Sequence, residues 1–175
     1  MDLSLKGKRA IITGGSRGIG FRTALLLARE GCSIAFCGRN QDDMDNAEKQ
    51  LKEEGDGSVF GKRADLENES ETRDFARFSA ESLGGIDLLI HNASGFDMAG
   101  DESGWMRSFQ VDIMAGVRLV DETLGQLKTS TCASITFVGS MASKFHFGRP
   151  PASYGPAKAA IRTYANELAQ TYGKD

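Results

Sequence analysis

The stretch Thr13-Gly14-Gly15-Ser16-Arg17-Gly18-Ile19-Gly20 limits what this chain can fold into more than any other. An apolar run, Arg9-Ala10-Ile11-Ile12, precedes it, and Phe21-Arg22-Thr23-Ala24-Leu25-Leu26-Leu27-Ala28-Arg29 follows with helical spacing. A buried strand thus passes through a glycine-rich turn directly into a helix. The helix's first N–H groups are left without intrahelical partners, and the positive end of its dipole points out of the turn. That arrangement suits a pyrophosphate. Glycine serves three ends here: a tight turn, close approach of backbone to phosphate, and packing of helix on strand. Structural turns also gather glycines, so the flanking strand and helix carry the reading.

The rest of the chain alternates in the same way. Strands are expected at 33–37, 59–63, 86–90 and 133–138, with helices at 42–54, 69–83, 105–128 and 153–172. Gly31, Gly55-Asp56-Gly57 and Gly84-Gly85 mark stops. Such alternation, with right-handed crossovers, predicts an α/β doubly wound parallel sheet of order 3-2-1-4-5 with helices on both faces. Ligands then lie beyond the carboxyl ends of the strands, where the order reverses. With 40% hydrophobic and 26% charged residues in 175, the chain is expected to fold rather than remain disordered. A formal net charge of −3 without a lysine or arginine block argues against nucleic acid and anionic membrane as partners. No apolar run has membrane-spanning length, and the first residues lack a signal-peptide core. Cys32, Cys37 and Cys132 form no C-x-x-C, and Cys37 and Cys132 fall in apolar runs. Buried free thiols and a reducing cytoplasm are therefore expected.

The turn reads T-G-x-x-x-G-x-G, Asn92-Ala93 follows the fourth strand, and Tyr154-Gly155-Pro156-Ala157-Lys158 reads Y-x-x-x-K. With these motifs the chain resembles the short-chain dehydrogenase/reductase family, in particular its 3-oxoacyl-ACP reductase-like members. The resemblance implies a Rossmann fold and a nicotinamide dinucleotide. It assigns the cofactor to Gly14, Ser16, Arg17, Gly18, Ile19 and Gly20 in the turn, Asp65 and Leu66 after the third strand, Asn92 and Ala93 after the fourth, and Tyr154 and Lys158. Asp65 is equally readable as a turn cap, and Asn92 as a loop-stabilising residue. The family's N-N-A-G has His91 and Ser94 at its ends here. In an NAD site an acidic residue near the end of the second strand takes the ribose hydroxyls, whereas this chain has Cys37-Gly38-Arg39. Arg39 with Arg17 instead suits a 2′-phosphate, so NADP(H) is expected over NAD(H), which is still possible. The plain alternative is two solvated surface arginines.

Residues i and i+4 share a helix face, so the Lys158 ammonium is expected beneath the Tyr154 phenol. A free phenol, pKa about 10, holds its proton tightly at neutral pH, and a nearby cation favours its ionised form. As the resemblance implies, Tyr154 is the general acid/base, Lys158 supports it and binds the nicotinamide ribose, and Ser140 polarises the substrate carbonyl. Ser143 is the rival serine, and either hydroxyl also suits a turn cap. The family's proton-relay asparagine aligns with Asp112, which is read as a relay member, a buried acid or an inert residue. His91 is read as a satisfied polar residue rather than a ligand, since no partner cluster accompanies it, and no metal site is apparent. His146, in Lys144-Phe145-His146-Phe147-Gly148-Arg149, either lines a substrate pocket or packs on the core.

Residues 1–175 are read as a single NAD(P)-binding domain, incomplete at the C-terminus, because the family's later strands and substrate segment have no counterpart. The fifth strand is then an exposed edge. The expected activity is hydride transfer between nicotinamide and a ketone or secondary alcohol, 3-oxoacyl substrates being one possibility. Val117, Val120 and Leu124, with Ile161, Tyr164 and Leu168, suggest a homodimer or homotetramer, though some of them must face the sheet. The rival is a catalytically impaired dinucleotide-binding or scaffold protein.

Overall fold

A computed structural model describes residues 3–96, 98, 100–146 and 152–173. Five strands form one parallel sheet: β1 (Arg9–Thr13), β2 (Ser33–Gly38), β3 (Val59–Arg63), β4 (Leu88–His91) and β5 (Ser134–Phe137). Their order is β3-β2-β1-β4-β5, as the alternation predicts. Between them run α1 (Gly18–Arg29), α2 (Gln41–Glu54), α3 (Glu69–Leu83), α4 (Glu102–Ser108) and α5 (Ala115–Leu127), and α6 (Tyr154–Tyr172) follows β5. No helix among the described residues is long and apolar enough to cross a membrane.

The two-residue period of β1 divides the core. Ala10 and Ile12 face α1 and α2, packing with Ala24, Leu25, Ile34, Phe36, Met44 and Leu51. Ile11 faces the opposite side, with Phe75, Leu89, Ala115 and Leu119 from β4, α3 and α5. Short polar side chains cap the starts of α2, α3 and α4. Asn40 accepts from the Asp43 amide at 2.9 Å, Asn68 from Glu71 at 3.2 Å and Asp101 from Gly104 at 2.8 Å. At the amino end of the sheet the Arg9 guanidinium grips Asp87 through Nε and Nη2, at 2.9 and 3.0 Å. That guanidinium holds the Asp87 carboxyl well below the usual carboxylate range.

Two expectations are corrected. The helix anticipated at 105–128 is interrupted by a π-helical segment, Phe109–Met114, between α4 and α5. Cys132 sits in a turn and is only half-buried, whereas Cys32 and Cys37 are buried and burial pushes Cys37 up to about 12. Some of the residues offered for subunit pairing face their own chain, as expected, and the others are half-buried. Val120 and Ile161 are buried, and Leu124, Tyr164 and Leu168 pack against the second core. The reason is helix rotation: an apolar stripe reports one buried face without saying what buries it.

Candidate active site

Register places Thr13 beside Cys37 on one side and His91 on the other, so the strand ends carrying the sequence motifs are level. The sheet order reverses between β1 and β4. Beyond their carboxyl ends lies a crevice of about 430 Å³. Gly14, Ser16, Arg17, Gly18, Arg39, Asp65, Leu66, Asn92 and Ala93 all line it. Two expected residues of the turn do not. Ile19 is 66% exposed on the outer side of the helix start, and Gly20 is buried under the turn.

The turn is closed by close approach. A Cβ on Gly20 would lie 2.1 Å from the Gly14 carbonyl oxygen, so only glycine lets α1 begin there. Gly14 adopts φ 64°, a left-handed conformation. The start of α1 has no side-chain cap and no acidic residue in its first turn. Its free N–H groups and dipole end therefore fit a phosphate group, and the residues present suit a dinucleotide. Asn92 braces the turn from β4, its Nδ2 donating to the carbonyls of Thr13 and Gly14, each at 3.2 Å. The loop-stabilising role is thus real, alongside its place on the crevice wall. Asp65 combines two roles in the same way, accepting from the Glu67 amide at 3.1 Å while lining the crevice.

Thr13 Oγ1 accepts from the amides of Asn92 and Ala93 at 3.0 and 3.1 Å. Its single proton then goes to His91 Nδ1, 2.9 Å away, so Nε2 carries the imidazole hydrogen and donates to the Val111 carbonyl at 3.0 Å. His91 is a satisfied polar residue, locked as the neutral ring. Burial first, and then the Lys158 charge, lower its pKa to about 4. The ring's folded pKa lies below its unfolded value of 6.5, so its contribution to stability is whole above pH 6.5 and lost as pH falls toward 4. That loss amounts to about 3 kcal/mol. Urea titrations across this range should show it, and His91→Asn should flatten the decline.

The catalytic candidates lie on adjoining segments. Ser140 ends the run after β5 and starts a 3₁₀ turn, Met141–Ser143, with its Oγ accepting from the Ala142 amide at 3.1 Å. The cap leaves the Ser140 O–H available to donate. The turn abuts the start of α6, where a Cβ on Gly155 would lie 2.8 Å from the Ala142 carbonyl oxygen. Lys158 is only 4% exposed in its side chain. Its Nζ donates to the Val138 carbonyl at 3.0 Å, lies 3.1 Å from Asp112 Oδ1 and sits 5.8 Å from the centre of the Tyr154 ring. Asp112, fully buried, comes from the π-helical segment, and its other oxygen accepts from the Gly95 amide at 2.9 Å. Gly95 lines the crevice. The Tyr154–Lys158 pair is therefore joined to the crevice through Asp112. Ser140, Tyr154 and Lys158 themselves do not line it.

Sequence reading missed three residues. Asp43, in the first turn of α2, puts a carboxylate on the crevice wall shared with Arg17 and Arg39. Ser153 is buried, its Oγ 2.8 Å from Ser108 Oγ and 3.2 Å from the Gly104 carbonyl, and it fixes the start of α6 against α4. Phe96 meets the Tyr154 ring edge-on, with centroids 4.9 Å apart. Only Asp43 left a signal, as a carboxylate one helical turn past Arg39. Phe145 and His146 are exposed and do not pack on the core, and the remainder of that stretch, 147–149, lies outside the described residues. Among the described residues no His, Cys, Asp and Glu cluster has metal-binding form.

Comparison with known proteins agrees with this geometry. The family model for short chain dehydrogenase matches residues 8–175. The isoepoxydon dehydrogenase of Aspergillus clavatus is 34% identical over 172 residues, a match covering 97% of this chain and 66% of that protein. The L-sorbose reductase of Gluconobacter frateurii, solved with NADPH and L-sorbose, superposes with a TM-score of 0.90 at 28% identity, covering 99% of this chain and 67% of that one. An NADH-dependent reductase solved with NAD gives 0.89 at 27% identity, covering 99% and 76%. The chain spans about two thirds of the length of the first of these relatives. Motif, topology and similarity agree: this chain belongs to the short-chain dehydrogenase family.

Proposed function

We propose that residues 1–175 form one NAD(P)-binding domain carrying the catalytic residues of an oxidoreductase. It moves a hydride between NADP(H), in preference to NAD(H), and a ketone or secondary alcohol. One observation carries the reading: the crevice at the β1/β4 reversal reaches Gly95, whose amide is bound by the same Asp112 that holds Lys158 under Tyr154. The dehydrogenase and reductase names of the relatives support it.

The nicotinamide supplies the hydride. Tyr154 gives its phenolic proton to the carbonyl oxygen in reduction and removes it from the alcohol in oxidation. Ser140, with a lone pair engaged by the Ala142 amide, directs its O–H at the same carbonyl oxygen. Lys158 is the fixed cation beside the phenol, and Asp112 and the Val138 carbonyl hold it in place. The full chain is expected to consume NADPH with at least one member of a panel of ketones, followed by loss of NADPH absorbance. A cytoplasmic location and a homodimeric or homotetrameric state belong to the proposal, the latter read by sedimentation.

Arg17 and Arg39 favour a 2′-phosphate, and Asp43 opposes it. Arg39→Asp is expected to weaken NADPH relative to NADH by about tenfold, the loss of one charge-assisted contact. Asp43→Asn should strengthen NADPH by a few-fold, roughly the removal of one screened repulsion. Titration of both cofactors checks this, and an unchanged ratio in both variants removes the clamp.

A second reading, a dinucleotide-binding protein without turnover, draws on the Lys158 ammonium, which is already engaged by Val138 and Asp112. Tight cofactor binding with no turnover across the panel favours it.

A further inference from the structure

Asp65 and Leu66 line the crevice from the turn that joins β3 to α3, and that turn is fastened from two helices. From α3, Glu71 Oε2 accepts the Asp65 amide at 2.8 Å. Asn68 and Glu71 have the spacing of a capping box, in which the carboxylate returns to the Asn68 amide. Here the Asn68 amide donates instead to the Asp65 carbonyl, at 3.0 Å, and the carboxylate reaches three residues further back. From α4, Arg107 Nε donates to Glu67 Oε1 at 2.8 Å. The Glu67 amide in turn donates to Asp65 Oδ1 at 3.1 Å.

Arg107 also bounds the facing wall. Gly95 lines the crevice from the segment after β4. A Cβ on Gly95 would lie 3.1 Å from Arg107 Cγ and 3.2 Å from the Arg107 carbonyl, so the glycine packs directly on this arginine. One residue therefore touches Gly95 with its stem and holds the Asp65–Leu66 turn, through Glu67, with its guanidinium. Neither Arg107 nor Glu67 lines the crevice, so the pair braces it from outside. With side chains 42% and 40% exposed, such a pair adds little to folding. What it fixes is the spacing between two walls that belong to different loops.

Arg17 and Arg39, read above as the 2′-phosphate clamp, put the adenosine half of the cofactor on this side of the crevice. Resting on the dinucleotide reading, we propose that Arg107 and Glu67 are positioning residues for that half: their ion pair holds the Asp65–Leu66 turn at a set distance from Gly95, so the slot between them is formed before the adenine ring arrives. Affinity rises because the turn need not be ordered at the moment of binding.

The test titrates the full chain by calorimetry with NADPH, NADH, 2′,5′-ADP and reduced nicotinamide mononucleotide. Glu67→Gln and Arg107→Met are each expected to weaken the first three by about three- to fivefold, the range of a half-exposed pair, and to leave the mononucleotide unchanged. The sign for Glu67→Gln is decisive. If the two charges acted on the phosphates only through space, removing the carboxylate would strengthen NADPH, whereas loss of the brace weakens it. With a ketone that the wild type reduces, KM for NADPH should rise by the same factor and kcat at saturating NADPH should hold. The exchanged double variant, Glu67→Arg with Arg107→Glu, should recover most of the affinity. Unchanged or opposite effects in the two single variants, equal weakening of the mononucleotide, or no recovery on exchange overturns the brace and leaves the oxidoreductase reading intact. Pair-dependent NADPH binding without reduction of any ketone supports the brace and overturns the oxidoreductase reading. A wild type that binds no dinucleotide overturns both.

Discussion

Tyr154→Phe is expected to lower ketone reduction by about 10²–10⁴-fold, the usual contribution of a positioned general acid. NADPH affinity and thermal midpoint should barely change. The asymmetry follows from what the hydroxyl does in the fold: among the described residues it makes no hydrogen bond, and the ring keeps its edge-on contact with Phe96. Removing one oxygen thus leaves packing intact and deletes only the proton donor. Steady-state rates with the best ketone of the panel, together with a cofactor titration, measure both halves. If the variant retains near-wild-type turnover, the proton comes from elsewhere and the catalytic assignment fails. If the wild type binds NADPH but is inactive on every ketone, the binding-protein reading gains instead.

Asp112→Leu is expected to destabilise the protein by about 3–5 kcal/mol, the scale for leaving one member of a buried ion pair without its partner. Lys158 and Asp112 side chains are 4% and 0% exposed, so water cannot replace the lost charge. The same substitution removes the acceptor of the Gly95 amide. Asp112→Leu combined with Lys158→Met should recover most of the loss, because an apolar pair needs no compensation. Urea unfolding of the two single variants and the double variant gives the coupling directly. Additive losses in the cycle would mean that the two charges do not depend on one another. The family pattern has asparagine at this position, and the structure gives Asp112 a more definite task than the three readings its sequence position allowed: it neutralises Lys158 and anchors the loop that carries Phe96.

Most of the scaffold was legible from local pattern. The strand–glycine–helix unit at the start, the repeating alternation after it and the sheet order follow from near-neighbour periodicity and from the handedness of crossovers. Of the nine expected residues that line the crevice, eight were implied by the family resemblance and Arg39 by the missing acid after the second strand; they meet because strand ends in a parallel sheet emerge at one edge. What local pattern left open concerns rotation and depth. Leu124, Tyr164 and Leu168 form an apolar stripe whether a sheet or a second subunit covers them, and in the single chain they pack half-buried against the second core. Ile19 stands inside the motif, yet the helix turns its side chain outward.

What the amino-acid order determined by itself is the kind of layer this chain builds and the edge at which ligands meet it, because both depend on spacings of a few residues. What only the tertiary structure decided is which distant side chains touch. Asp43 on the wall with Arg17 and Arg39, Asp112 against Lys158, and Phe96 on Tyr154 each join segments that local periodicity treats as unrelated. The six-residue π-helical segment shows the physical reason. A locally wider turn changes the direction of every side chain after it, and no period read along the sequence carries that rotation.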